Sequence, residues 1–219
     1  MNKETERGAS GRRLLGVTLC VLMMSGAAQE KSAVAQAKAP VVSQIQSMLE
    51  KPAVLCGRFD QTKLLSGLKK PLLSNGRFCV VPGKGVVWRT VKPFPATLRL
   101  TPDEIVNYQG DRVAMRLEAK QEPTVRMINS VLFALLAGDL TQLDPLFVVE
   151  GKVISGGWHV VLKAREASLE KAIGTISLDG SNFVTSIQMD DAGGDHTAIR
   201  FSEIQTGNSA MQAEDAALF

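Results

Sequence analysis

The sequence predicts a mainly β protein with some α-helix, in which a strongly curved antiparallel sheet or half-open β-barrel carries helices as a plug or lid. Two observations support this fold class. Short segments that alternate between apolar and polar residues recur at regular spacing, with turn residues between them. The series is interrupted once, at residues 124–137, by an apolar stretch with helical spacing. The alternation is clearest in residues 78–100, where three short strands each present one apolar face.

The N-terminal residues 1–35 have the features of an export signal. Basic residues precede the apolar segment Leu14–Met24, which is shorter than the roughly 20 residues that span a bilayer. Small residues at 26–28 and 33–35 are candidate cleavage sites. We expect a cleaved signal peptide and a periplasmic protein, with one domain at 36–206 and a loosely attached C-terminal tail at 207–219. An uncleaved N-terminal anchor is the alternative.

Composition and cysteine content exclude several classes of function for this protein. The chain has 219 residues, of which 45% are hydrophobic and 5% aromatic, and part of its net charge of +3 lies in the leader. A nearly neutral remainder argues against nucleic acid as a partner, because its binders need a basic face. Cys56 and Cys79 are the cysteines beyond the leader, and in an exported chain they most simply form one disulfide, with two free thiols as the alternative. Two cysteines and distant histidines are no zinc ligand set, so we expect no metal and no cofactor.

Periodicity then places the elements in chain order. Apolar residues recur at helical spacing after Pro40, which predicts an amphipathic helix over about 41–51. A connector over 67–74, interrupted by Pro71, separates the first two strands. The predicted strands cover residues 53–63, 78–81, 86–91, 96–100, 104–108, 111–118, 147–154, 158–165, 173–178, 183–189 and 196–204.

The helix predicted over 124–137 is apolar on nearly every side. Such a helix needs cover on more than one face. An ordinary core helix satisfies this need. A lid laid across a curved sheet satisfies it too, and would leave a lipid-sized pocket beneath the helix.

Groups that could perform catalysis are scarce. His159 falls on the polar phase of its strand with no evident partner, and no G-x-S-x-G nucleophile motif is present. The acidic cluster at 190–196 surrounds a Gly-Gly turn and lacks the EF-hand order, which favours a hairpin turn over a calcium site. Pro82–Gly85 lacks the second half of a phosphate loop and is predicted to be a turn. We therefore expect no enzyme, and a lipid hydrolase is the weakest of the hypotheses.

The order of several short motifs resembles a known family. These are CGRF at 56–59, GRFC at 76–79, a strand that carries Trp88 ahead of Lys92-Pro93, and GWHVVL at 157–162. Over about residues 41–205 the chain resembles the LolA-type outer-membrane lipoprotein carriers. The paired CGRF and GRFC are similar to a LolA-like subgroup associated with gene sets for aryl-polyene or pigment lipids.

The resemblance implies a half-open barrel with a helical lid and no catalysis. It implies a lipoprotein or lipid cargo, received from an inner-membrane transporter and delivered to an outer-membrane acceptor; we expect a monomer. The candidate lining of the cargo cavity is the apolar phase of the strands and helix, namely Phe78, Val80, Trp88, Leu98, Ile105, Met115, Phe133, Leu136, Trp158, Ile187 and Met189. A sensor or assembly module of the same fold, with a packed inner face and a protein partner, is the alternative.

One segment departs from the family pattern. The carriers have Arg-Pro where this chain has Lys92-Pro93, and lysine lacks the planar fork of arginine. Lys92, Pro93 and Phe94 are the candidate rim or gate of the cavity, with a stiff sheet corner as the alternative. Cys79 lies on the opposite phase from the candidate lining, where a link to Cys56 would brace the sheet from behind.

Overall fold

A single antiparallel sheet organises the computed structural model, which describes residues 40–120, 131, 133–136 and 138–219. Its eleven strands pair in the order β6-β5-β4-β3-β2-β1-β11-β10-β9-β8-β7. Within the described residues β6 and β7 are edges, so the sheet is not closed. The strands are β1 (Leu55–Leu64), β2 (Leu72–Val81), β3 (Gly85–Lys92), β4 (Ala96–Leu100), β5 (Glu104–Gln109), β6 (Arg112–Glu118), β7 (Phe147–Ile154), β8 (Gly157–Ala164), β9 (Thr175–Gly180), β10 (Val184–Asp190) and β11 (His196–Thr206).

The sheet is strongly curved, as the sequence predicts. Leu98 of β4 and Met189 of β10 line the same cavity, although four strands lie between β4 and β10. In a flat sheet, five steps of about 4.8 Å would keep them roughly 24 Å apart. The curvature gives the sheet an inner face, which carries Phe78, Trp88 and Leu98, and an outer face, which carries Cys79. The predicted fold class of an open, curved β-barrel is confirmed.

The CGRF and GRFC sequences pair with each other across β1 and β2. In this register Gly57 lies opposite Phe78 and Phe59 lies opposite Gly76, with the two arginines facing each other between them. Each phenyl ring covers the facing glycine so closely that an added Cβ would lie 2.9 Å from it. The glycines therefore make room for two aromatic rings on the inner face, which explains the mirrored order of the motifs.

Helices pack on both faces of the sheet. They are α1 (Val41–Met48), the helical residues 131 and 133–136 (α2), α3 (Ala167–Ile173) and α4 (Ala213–Ala216). Ile45 of α1 is fully buried, and its side chain lies against Gly151 of β7. The Gln46 side chain donates a hydrogen bond to the Gly138 carbonyl (3.3 Å) and accepts one from the Leu140 amide (3.0 Å), which ties α1 to the segment after α2. The rest of the predicted helix 124–137 lies outside the described residues.

Three local predictions are corrected by the structure. β2 begins at Leu72, inside the predicted connector 67–74, because β1 pairs with Leu72 to Asn75 despite their weak strand propensity. α3 was not predicted at all, and it ends where Gly174 adopts φ +71°. The C-terminal tail is not loosely attached, since Asp215 is buried and contacts β2 and β3.

Candidate functional site

A cavity of about 490 Å³ lies between the sheet, α1 and α2. This volume falls within the roughly 300–1,000 Å³ typical of ligand pockets. It lies at the end of the sheet that carries the β2–β3, β4–β5 and β9–β10 turns, since Pro82, Pro102 and Phe183 all border it. The apolar part of its lining comes from both helices and the sheet, namely Leu49, Leu55, Val80, Phe133, Ala134, Leu136, Phe183 and Val184.

Polar groups border one side of the larger cavity. They are Glu50, Lys51, Asp139 and Gln142. Burial favours a raised pKa for Asp139, but hydrogen bonds from Thr141 (2.6 Å) and Gln142 (2.8 Å) and the charge of Lys51 outweigh it, so the pKa lies below its ordinary value. The carboxylate is therefore charged at neutral pH, and the cavity combines an apolar interior with a charged border.

A second cavity of about 210 Å³ also lies on the inner face. It is bordered by Trp88 and Leu98 on one side of the curved sheet and by Ile187 and Met189 on the other. Leu136 of α2 lines both cavities. This side chain thus stands between the two spaces, and only 8% of its surface is exposed.

An aromatic cluster forms the centre of the inner face beside the smaller cavity. The Phe59 ring stacks on Trp88 with 3.8 Å between ring centroids, and Trp88 meets Phe201 edge-on at 6.1 Å. The Phe78 ring tilts against Phe201 at 4.9 Å. These contacts hold the Trp88 ring in place, so one wall of the smaller cavity is rigid.

The structure brings together seven of the predicted lining residues. Val80, Phe133 and Leu136 line the larger cavity, while Trp88, Leu98, Leu136, Ile187 and Met189 line the smaller one. Phe78 is buried in the main core beside them. Lipid binding by all of these residues stays a prediction.

Three predicted lining residues lie elsewhere. Ile105 belongs to a small cluster near the edge of the sheet. Met115 is 41% exposed on the edge strand β6, although it shares the cross-strand row of Leu98 through Asn107. Trp158 is fully buried, and its indole Nε1–H donates to the Ser181 carbonyl at 2.8 Å.

The candidate rim and the disulfide also have definite positions. Lys92, Pro93 and Phe94 are exposed at the β3–β4 connection, where the Lys92–Pro93 peptide is cis. Their role as a gate stays a prediction. Cys56 and Cys79 form the predicted disulfide across β1 and β2, on the outer face and away from both cavities.

Several contributors to the cavities were not among the predicted site residues. Leu49, at the end of α1, and Leu55, at the start of β1, line the larger cavity. Gln61 contributes a polar side chain to the smaller one, next to Ile199. The helical spacing of α1 and the alternation of β1 mark these side chains as inward-facing, but not as cavity-lining, because that depends on where the helices lie.

His159 and Ser186 both contact the carboxylate of Asp179. Contrary to expectation, His159 has a partner, since its Nδ1 lies 2.7 Å from Asp179. The Ser186 hydroxyl donates to the same carboxylate rather than to the imidazole, so it is not activated as a nucleophile. In the described part of the chain, no group of three His, Cys, Asp or Glu side chains is placed to hold a metal ion. Nor does any described helix have the length and hydropathy to cross a membrane.

A model of a known protein family matches most of the chain. Residues 24–216 match the family model described as outer membrane lipoprotein carrier protein LolA-like. The chain belongs to the LolA-like family. A search of curated proteins finds no significant match for this LolA-like chain.

Solved structures that match this chain come from several bacteria. A LolA superfamily protein from Nitrosomonas europaea is 9% identical, with a TM-score of 0.44 over 77% of this chain and 92% of that one. A DUF1329 family protein from Desulfovibrio piger is 10% identical, with a TM-score of 0.44 over 82% and 96%. A chain of the MucA/MucB complex from Pseudomonas aeruginosa is 12% identical, with a TM-score of 0.41 over 80% of this chain and 62% of that one.

Proposed function

We propose that this LolA-like chain is a periplasmic carrier that binds the acyl chains of a lipoprotein or lipid and shuttles them from the inner to the outer membrane. The observation that carries the proposal is the apolar cavity of about 490 Å³ bordered by α1, α2 and the inner face. The family match supports it, as does the disulfide, which fits an oxidising compartment.

The two cavities suggest how cargo is held and released. Each buried methylene contributes roughly 0.8 kcal/mol, so a fully enclosed acyl chain would bind too tightly to leave without a change in the protein. Leu136 lies between the cavities, on the helix that borders both. Movement of α2 would join the two spaces for a long chain and separate them on release, trading the contacts of Leu136 with the sheet for contacts with cargo.

From the polar border we infer an orientation for the cargo. Lys51 and Gln142 can donate hydrogen bonds to the ester or headgroup oxygens of a bound lipid, while the acyl chain occupies the apolar interior beside Phe133 and Val184. An inner-membrane transporter and an outer-membrane acceptor would supply and remove the cargo, which is a lipoprotein or a polyene-type lipid.

Mass spectrometry of organic extracts from the natively purified protein tests the proposal. We expect co-purified acyl lipids, and displacement of a fluorescent fatty acid by them. Ala134→Phe places a ring in the larger cavity and should reduce fatty acid binding by at least about tenfold, since several methylene contacts are lost. Ala167→Phe, at an exposed position of α3, is the matched control. Absence of both bound lipid and fatty acid binding would refute the carrier function.

A sensor or assembly module with a protein partner is the second candidate. This function requires an inner face filled by the chain's own side chains. The two cavities on the inner face do not fit that requirement. An exposed apolar surface at the other end of the sheet is compatible with it. Retention of a protein partner by a lipid-free preparation, with normal retention in Ala134→Phe, would favour this second function.

A further inference from the structure

Two neighbouring connections at one end of the sheet expose apolar side chains. Every residue of 66–73, in the β1–β2 loop and the start of β2, is exposed, and so is every residue of 91–95 around the β3–β4 turn. Leu68 is 54% exposed, Leu73 63% and Phe94 81%. We call residues 64–73 and 91–95 together the loop end. Exposed apolar side chains that are grouped together mark interaction surfaces on folded proteins.

The two segments of the loop end lie at the same end of neighbouring strands. Thr62 pairs with Leu73 across β1 and β2, and Asn75 pairs with Lys92 across β2 and β3. β2 begins at Leu72 and β3 ends at Lys92, so the start of β2 lies at the same end of the sheet as the β3–β4 turn. The Ser66 amide also donates to Asp195 of the β10–β11 turn (2.8 Å), which anchors the β1–β2 loop to the far side of β1.

Lysines are interleaved with these apolar side chains. Lys69 and Lys70 lie in the loop between Leu68 and Leu72, and Lys92 precedes the turn that carries Phe94. Within the described part of the chain none of these three lysines takes part in an ion pair. The nearby carboxylates of the β10–β11 turn are engaged: Asp195 binds the Ser66 amide and Lys63, and Asp191 accepts the Gly193 and Asp195 amides. The loop end is therefore cationic as well as apolar.

We propose that the loop end docks on the surface of a bilayer that contains anionic phospholipid. Leu68, Leu72 and Phe94 enter the level of the headgroups, while the lysines pair with lipid phosphates. A membrane fits better than a protein, because lysine is depleted at the centres of protein–protein interfaces. The surface is also made of a loop, a turn and the ends of strands, whereas apolar peptide partners are bound in grooves.

This inference goes beyond the carrier function and does not depend on it. The loop end is opposite to the end that carries the larger cavity, as the turn at Pro82 and the loop at Leu68 lie at opposite ends of β2. Gln61 of the smaller cavity lies two residues before Lys63 on β1, so that cavity is nearer the docked end. Docking itself requires no bound cargo.

Flotation with lipid vesicles tests the proposal. The full chain should float with vesicles of phosphatidylcholine and phosphatidylglycerol, and bind less to phosphatidylcholine alone or at high salt. Two double variants, Leu68→Ser/Phe94→Ser and Lys69→Glu/Lys70→Glu, should each weaken binding to the anionic vesicles by at least about tenfold. All variants carry the same residues 1–35, so any difference in vesicle binding comes from the substitutions in the loop end.

Matched controls lie at the opposite end of the sheet. Val153 and Ile154 are exposed apolar residues before the β7–β8 turn, and Lys84 lies in the β2–β3 turn. Val153→Ser/Ile154→Ser and Lys84→Glu should leave vesicle binding unchanged. The proposal is overturned if the wild-type chain does not float, if controls and loop-end variants lose binding equally, or if sedimentation shows that the loop end instead joins two copies of the chain. Lipid extraction from the same variants reports separately on cargo binding.

Discussion

Asp215, four residues before the last residue of the sequence, accepts two hydrogen bonds from Arg89 of β3. Its Oδ1 lies 3.1 Å from Arg89 Nε and 2.9 Å from Nη2, and only 3% of the residue is exposed. Arg89 is flanked on the outer face by Arg77, which also contacts Asp215 and is itself opposite Arg58. The carboxylate therefore offsets repulsion within a row of three arginines.

Asp215→Asn should destabilise the protein by about 1–3 kcal/mol, because the arginine row loses its buried counter-charge while the side chain keeps its shape. Urea unfolding followed by far-UV circular dichroism measures this loss. Glu214→Gln is the control, since Glu214 contacts Arg77 at 2.6 Å but is 57% exposed, and we expect less than about 1 kcal/mol. Equal losses of unfolding free energy in the two variants would show that the burial of Asp215 does not determine its contribution to stability.

Gly76→Ala should destabilise the protein by about 2 kcal/mol or more. An added Cβ would collide with the Arg89 carbonyl, which is backbone and cannot turn aside, and would press on the Phe59 ring at 2.9 Å. The displaced ring should alter its stack on Trp88, which near-ultraviolet circular dichroism detects. Gly193→Ala is the control, because its Cβ would meet only the Asp191 side chain, at 3.2 Å. An unchanged aromatic signal in Gly76→Ala would contradict this account of the motif.

Alternation along the strands predicts which side chains share a face of the sheet, but not how deeply each side chain is buried. Phe78, Trp88, Leu98 and Met115 belong to one cross-strand row as the pattern requires, yet Met115 is exposed because β6 is an edge strand. Strand order is a long-range property that local periodicity does not contain. Trp158 also alternates with polar neighbours along its strand, but its side chain is fully buried in the core.

The C-terminal contacts were beyond prediction for a related reason. The sequence favours helix over 211–218, and α4 spans four residues within that range, but so short a helix does not indicate which surface it contacts. Its carboxylates acquire a role only through Arg77 and Arg89, more than 120 positions away in the chain. The disulfide was predictable because compartment and cysteine number left one simple pairing.

Stability in acid should depend on Asp139. Its folded-state pKa is lower than the unfolded value of about 3.9, so its contribution is complete above that value and is lost as pH falls through the lower folded-state pKa. Asp139→Asn should therefore be less stable than wild type at neutral pH, with the difference shrinking in the acid range below about pH 4. The effect should be small, because the side chain is partly solvated. Thermal unfolding across pH measures it, and a difference that grew on acidification would contradict the assignment.

Leu136→Ala should both destabilise the protein and join its two cavities. The side chain is nearly buried and lines both spaces, so its loss should cost about 2–4 kcal/mol. If the carrier function is correct, the joined cavity should shift fatty acid preference toward longer chains, which competition between fatty acids of graded length measures. Leu162→Ala, at a fully buried position of β8, should cost similar stability without a change in chain-length preference. The same shift in both variants would mean that general loosening of the core, rather than removal of a partition, decides which chain is accepted.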